Sequence, residues 1–597
     1  MKELYITLAI IAVVLVVIAI LKLRRIRKNS HYDLVSKSGK EVLDGKKTWL
    51  SHPRPQIKRD DYMILCEGWT LNGQNIKVPF PPQSLLSGYK DKVGDKLIYS
   101  CKFKRYGEVN KRTLLHFGAV DQIADVYVND VFVGKHEGGY LPFVFDITDV
   151  LKDENKLTVY VTDTLSKVYP YGKQTKKRGG MWYTPVSGIW QNVWLEIVPD
   201  EYIKDIKITP DMQNVRFDVE MSDQSKAIGN IRIQLHTGEI YEQQFNTGEI
   251  FIDMSKIETL TGERYEPIQW SVENPYLYDV EITVGKDVVK TYFALRKIEI
   301  ININGINRVC LNGKPIYLNG VLDQGYFCDG IYLPAEEQEY ERDILRMKEL
   351  GINMLRKHIK VEPEIFYYYC DKNGMLVMQD MVNNGPYSFI RDTALPTIGL
   401  NKRNDKKRSI SKETKDFFEQ HMKDEIKHLY NHPCIIAYTI FNEGWGQFDS
   451  DRMYAIAKDL DSTRLYDATS GWFIQNDSDF DSYHIYFTDK CPQPKERPWF
   501  LSEFGGYTYA VPGHVYSKYA SYGYGRCKDE EELTERIVKR YEQLILPLVK
   551  EGACGSVYTQ LSDVEDEVNG FYTYDRMVCK VNKKRMRELA NRIQEQL

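Results

Sequence analysis

At 597 residues the chain is long enough for several domains, roughly four at ~150 residues each. Its 43% hydrophobic and 12% aromatic content suffices for packed cores. A net charge of −4, with only short, isolated basic runs beyond the N-terminal flank, leaves no electrostatic footprint for nucleic acid.

In chain order, the first feature is Leu4 to Leu21, an apolar stretch in which Thr7 is the only clearly polar residue. Its length just reaches that of a membrane span. Lys22, Arg24, Arg25, Arg27 and Lys28 follow it, the reverse of a cleavable signal peptide. Residues 1–28 therefore read as a transmembrane anchor with its basic flank in the cytoplasm. The ten scattered cysteines form no Cys-x-x-Cys pair and read as buried free thiols of a reducing compartment. The expected localisation is membrane-anchored and single-pass, with the large domains on the cytoplasmic side; the alternative is the extracellular face. Residues 29–59 are polar, contain Pro53 and Pro55, and read as a tether.

From 60 to 199 short strands alternate with turns. Asn129-Asp130 marks a hairpin and Gly138-Gly139 another turn. Strands without helices predict a β jelly-roll sandwich. Residues 200–300 stay strand-rich, with alternating apolar positions over Val215 to Val219 and Tyr278 to Val284, which suits an immunoglobulin-like β-sandwich. From 301 to 597 strands alternate with helices, the pattern of a parallel α/β fold. Eight strands are expected near Ile316, Ile352, Leu376, Cys434, Leu465, Ser482, Trp499 and Ser556, enough for one (β/α)₈ TIM barrel.

Two of those strands end in a carboxylate. Asn431 to Phe448 reads N-H-P-C-I-I-A-Y-T-I-F-N-E-G-W-G-Q-F, a strand buried on both faces that stops at Asn442-Glu443. Pro498 to Gly506 reads P-W-F-L-S-E-F-G-G and delivers Glu503. Strand ends are where barrels place their chemistry, and paired carboxylates are the equipment for hydrolysing a glycosidic bond. No His-Glu-x-x-His, P-loop or strand-linked Gly-x-Gly-x-x-Gly is present, so no metal, nucleotide or other cofactor is implied.

The N-H-P strand ending in N-E resembles the acid/base strand of family 2 glycoside hydrolases, the group of β-galactosidases, β-glucuronidases and β-mannosidases. The second stretch resembles that family's nucleophile strand, and the likeness runs from about residue 60 to the C-terminus. It implies retaining hydrolysis of a terminal β-glycoside, with Glu503 as nucleophile and Glu443 as acid/base. It also implies that Asn442 contacts the sugar 2-hydroxyl. His358, in L-R-K-H, resembles the histidine of the family's R-x-x-H strand with one residue fewer between. Asp380 ends the third strand and is a candidate for a hydroxyl or a helix cap. Trp445, Trp472, Tyr483 and His484 are candidate contact residues, and Asn569 belongs to a stretch that resembles the family's closing loop.

For specificity, β-glucuronidases of the family carry an Asn-x-Lys motif just before the last-strand G-x-x-T-x-D-R stretch. Here Glu565-Asp566-Glu567-Val568-Asn569 precedes Gly570 to Arg576 and has no lysine. A neutral hexoside, first a β-galactoside, is expected rather than a β-glucuronide; the alternative is a β-glucuronidase or β-mannosidase of the same family. A cation could instead arrive from the loop carrying Lys402, Arg403, Lys406, Lys407 and Arg408. Two other readings share these residues: a transglycosidase, and an inactive membrane-tethered carbohydrate-binding protein. A homo-oligomer stays open.

Overall fold

The computed structural model describes residues 31–107, 111–223, 227–246, 248–397, 399–488 and 490–597. The membrane localisation expected from Leu4 to Leu21 is withdrawn. Among the described residues no helix is long and apolar enough to cross a membrane, and that stretch lies outside them.

The stretch read as a tether is, from residue 31 onward, packed against the C-terminal domain. A short helix, Lys37–Leu43, is capped by Ser36, whose Oγ accepts from the Gly39 N–H and donates to Asp329 at 2.6 Å. Trp49 is buried, donates its indole N–H to the Pro334 carbonyl at 3.0 Å, and meets Tyr340 edge-on.

The next domain stacks two antiparallel sheets. In Lys96–Lys104 alternate residues are buried, the period-two signature of a strand with one face on the core. Leu115, Val126, Val159 and Leu195 fill the space between the sheets. Asn129 and Asp130 both adopt positive φ, 53° and 64°, and turn the hairpin between Ile123–Val128 and Val131–Glu137. The following domain pairs a three-stranded with a four-stranded sheet around Phe217, Ile231, Ile282 and Phe293. Its strands Asn214–Met221 and Tyr278–Val284 contain the segments expected from alternation.

The C-terminal domain is a nearly closed barrel of eight parallel strands: β1 (Leu318–Asp323), β2 (Met354–Lys357), β3 (Leu376–Asp380), β4 (Ile435–Asn442), β5 (Leu465–Ser470), β6 (Asp481–Ile485), β7 (Trp499–Gly505) and β8 (Ala553–Thr559). Each overlaps an expected strand. The backbone ladder runs β5-β4-β3-β2-β1-β8-β7-β6, leaving a seam between β5 and β6. Side chains bridge that seam: Ser470 Oγ lies 3.0 Å from His484 Nε2 of β6 and 2.9 Å from Ser502 Oγ of β7, which in turn is 2.7 Å from Ser482 Oγ of β6. Before β1, Arg296 donates to the carbonyls of Pro433 and Ile435 and Arg308 to that of Val549, tying the preceding hairpin to the N-terminal end of the barrel.

The packed N-terminal segment makes a prediction. Trp49→Ala removes a buried aromatic side chain and should cost about 3–5 kcal/mol. The urea midpoint of the barrel should fall accordingly; a wild-type midpoint would mean that the segment is held no tighter than a tether.

Candidate functional site

All eight strands point the same way, so their C-terminal ends share one rim. The centre of that rim is Arg356 on β2, a side chain with 0% exposure. Its Nε donates to Asp380 Oδ1 at 2.9 Å, its Nη2 to Asn442 Oδ1 at 2.9 Å, and its Nη1 to the Ser502 carbonyl at 2.9 Å and Glu503 Oε1 at 3.2 Å. One guanidinium thus joins β2, β3, β4 and β7. Its planar fork suits several acceptors at once. Burial opposes its charge, but Asp380 and Glu503 raise its pKa above the ordinary arginine value.

Glu503 receives a second bond, from the Tyr486 hydroxyl at 2.6 Å. Burial alone would raise its carboxyl. The charges of His484 and Arg356, with the Tyr486 hydroxyl, overcome that and hold it well below the usual carboxylate range. Burial and the neighbouring Glu503 push the Tyr486 phenol well above its ordinary value, so it stays a donor.

Glu443 stands where β4 breaks. Its φ is 50°, a left-handed conformation that costs free energy for a residue with a Cβ. Its N–H donates to the Ser470 carbonyl of β5 at 3.0 Å, which holds the turned residue in place. Gly444 follows at φ 71°, and a Cβ there would meet the Phe473 ring at 2.3 Å. The Glu443 carboxylate accepts from His484 Nδ1 at 3.0 Å. Donor atoms of Glu443, His484 and Glu503 all lie within 4.8 Å of one another, the one such trio among the described residues. Both carboxylates are already bonded, to His484, Arg356 and Tyr486, so the trio is a hydrogen-bonded cluster rather than an open set of metal ligands.

His358 donates from Nδ1 to Asp380 Oδ2 at 2.7 Å. Burial and the charge of Lys173 pull its pKa down to about 4, so the ring is neutral near pH 7. Trp445 is buried, stacked on Trp182 at 5.2 Å and edge-on to Tyr387. Trp472 meets His484 edge-on at 5.7 Å. Neither indole N–H has a partner among the described residues, which leaves two donors at the rim. Asn569 is tied at both ends, donating to Glu567 Oε1 and accepting from Gln560, each at 2.9 Å. Tyr483 is not brought to the site. It alternates with the inward-facing Ser482 and His484, and its ring packs on Trp499 at 5.9 Å.

Sequence reasoning missed Arg356, Tyr486 and Lys173. Arg356 left a signal: a guanidinium inside an expected barrel strand must find partners wherever that strand is buried. Lys173 and Trp182 come from the first sandwich domain, whose segment 163–187 reaches over the barrel. Tyr171 donates its N–H to the Asn383 carbonyl at 3.1 Å, and Tyr183 donates its hydroxyl to Glu567. Arg403 and Arg408 of the basic loop face Asp392 at 3.6 and 3.5 Å. A cavity of about 840 Å³ between the N-terminal segment and the barrel includes neither Glu443 nor Glu503.

Two β-sandwiches in front of a barrel with paired carboxylates on its rim are the architecture of a glycoside hydrolase. Three family descriptions match in succession: "Glycosyl hydrolase 2 galactose-binding domain-like" over residues 87–188, "Glycosyl hydrolases family 2" over 201–296, and "Glycosyl hydrolases family 2, TIM barrel domain" over 301–571. The chain belongs to glycosyl hydrolase family 2. A β-galactosidase of Thermoanaerobacter pseudethanolicus is 27% identical over 426 residues, 68% of this chain and 53% of that protein. A β-glucuronidase of Bacteroides fragilis is 26% identical over 376 residues, 59% of this chain and 51% of that protein. The solved structure of a Ruminococcus gnavus β-glucuronidase superposes with a TM-score of 0.71 at 19% identity, covering 91% of this chain and 100% of that one. The chain spans about half the length of the curated relatives it matches.

The Arg356 network predicts an acid limb of stability. Asp380 and Glu503 both titrate below their ordinary range when folded. Their contribution is complete above the unfolded carboxylate value of about 4 and is lost as pH falls through the folded values. Arg356→Met should cost about 3–5 kcal/mol at neutral pH, by leaving two buried carboxylates unpaired. It should also flatten the fall in unfolding midpoint between about pH 4 and pH 2. An acid limb as steep as the wild type's would show that the guanidinium is not its source.

Proposed function

We propose that the chain is a retaining exo-β-glycosidase. The observation that carries this is the approach of the Glu443 and Glu503 carboxylates, oxygen to oxygen within 4.8 Å. Retaining enzymes hold their carboxyl groups about 5–5.5 Å apart, inverting ones about 6.5–9.5 Å. Their surroundings are unequal in the sense the chemistry requires. Arg356 reaches Glu503 and not Glu443, which suits an ionised nucleophile beside a proton donor. Glu503 attacks the anomeric carbon and displaces the aglycone. Glu443 protonates the departing oxygen, then takes a proton from the water that releases the sugar. The proton returns to Glu443 through each cycle. Asn442 offers Arg356 its Oδ1, which leaves its amide N–H₂ for the sugar 2-hydroxyl.

The sugar proposed is a terminal β-linked hexopyranoside. On its substituent the comparisons divide, since the sequence relatives carry both the β-galactosidase and the β-glucuronidase name. The missing lysine before Asn569 removes the cation by which the family's β-glucuronidases are expected to hold a carboxylate, so the substituent turns on which other cation the mouth holds. An inactive binding protein is disfavoured because both carboxylates and their bonding partners are in place.

Glu503→Ala should abolish turnover of aryl β-glycosides. Glu443→Ala should slow substrates with poor leaving groups by about 10²–10⁴-fold and activated ones less, since only the former need the acid. Proton NMR of the first product should show the β anomer; an α anomer appearing first sinks the retaining mechanism.

A further inference from the structure

The first sandwich domain delivers Lys173 to the barrel mouth. Lys173 is 7% exposed and lies between two fixed neighbours. Gly172 has φ 61°, and a Cβ there would sit 2.9 Å from the Ile359 carbonyl just past β2. Gln174 donates to Asp121 at 2.8 Å and accepts from the Val186 N–H at 2.7 Å. The Lys173 ammonium lies 4.9 Å from the ring centroid of Trp445, two residues beyond Glu443. Among the described residues no carboxylate reaches it within the 4.0 Å of an ion pair. Its charge still pulls down the pKa of His358 and opposes the effect of burial on Glu567, so both lie within its electrostatic reach.

A buried ammonium with only a ring face for a partner is costly unless a counter-charge arrives. We infer that this counter-charge is on the substrate: Lys173 is the fixed cation for a carboxylate, and the site takes a hexuronide, a β-pyranoside with a carboxylate at C5. The inference rests on the reading of the rim as a glycoside site and runs against the neutral-hexoside expectation. That expectation set the acids Glu565, Asp566 and Glu567 against an anionic sugar. In the fold Asp566 faces Arg178 at 3.2 Å, and Glu565 accepts from the Thr184 N–H at 2.9 Å. Glu567 has both oxygens engaged, one by Tyr183 and one by Asn569. None of the three contacts Lys173. In the basic loop Arg403 and Arg408 turn to Asp392 and Lys406 to Asp451, while Lys402 and Lys407 are exposed.

The test compares aryl β-glucuronide and β-galacturonide with the matching glucoside and galactoside. It also measures equilibrium binding of a uronic-acid iminosugar against its hydroxymethyl counterpart. Wild type should favour the acidic member of each pair. In Lys173→Met the acidic-to-neutral ratio of kcat/KM should fall about 100-fold or more, as for other buried charge partners. A wild-type preference for the neutral member, or an equal loss on both in Lys173→Met, overturns the inference. The wild-type comparison stays decisive if the methionine variant does not fold. Binding and turnover separate the two readings. Lys173-dependent binding of the acidic iminosugar without hydrolysis of any glycoside supports the inference and overturns the hydrolase. Hydrolysis that needs Glu503 but whose sugar preference ignores Lys173 does the reverse.

Discussion

A guanidinium with no access to water is the constraint on which the barrel rim depends. Arg356 spans four strands because Asp380, Asn442, Ser502 and Glu503 present acceptors on its plane. Burying a charge this deeply is tolerable only when the geometry satisfies its donors. The same bonds orient Asn442, hold Glu503 ionised and, through Asp380, place the His358 ring. Packing and chemistry are therefore one network here, and no member can be changed without exposing another to an unpaired charge.

Around that network the structure spends local strain where it is held from several sides. Glu443 adopts a left-handed backbone because β5 accepts its N–H and Gly444 lets Phe473 close over the turn. The seam between β5 and β6 has no backbone ladder, and His484, which meets Ser470 across it, also contacts Glu443 at 3.0 Å and Glu503 at 3.6 Å. The open seam thus brings a polar layer to the floor of the site.

Two cations divide the labour at the rim. Arg356 is fully paired and serves the protein's own carboxylates. Lys173, brought in by a different domain, has no ion-pair partner among the described residues and lies over the Trp445 ring, two residues beyond Glu443. The sandwich is then more than a scaffold: its segment 163–187 supplies Lys173, Trp182 and Tyr183 to a wall that the barrel alone lacks.

Much of this was legible in the residues. Period-two and continuous apolar runs located several of the sandwich strands and all eight barrel strands, because burial of a face imposes a periodicity within each element. Glu443 and Glu503 stood out because a carboxylate ending a doubly buried strand has few other reasons to be there. Tyr483 was misjudged because a strand's two faces cannot be told apart by neighbourhood alone, and Trp499 claimed its ring. The stretch before residue 60 looked like a tether because its composition is polar, yet Ser36 and Trp49 find partners some 290 residues away, at Asp329 and Pro334. Arg356 with Glu503, 147 positions apart, and Lys173 with Trp445 are pairings of the same kind. By itself the sequence determined which elements form and which residues end them. Only the tertiary structure decided which charges meet, because an ion pair depends on distance in space, and no local pattern encodes a partner from another strand or another domain.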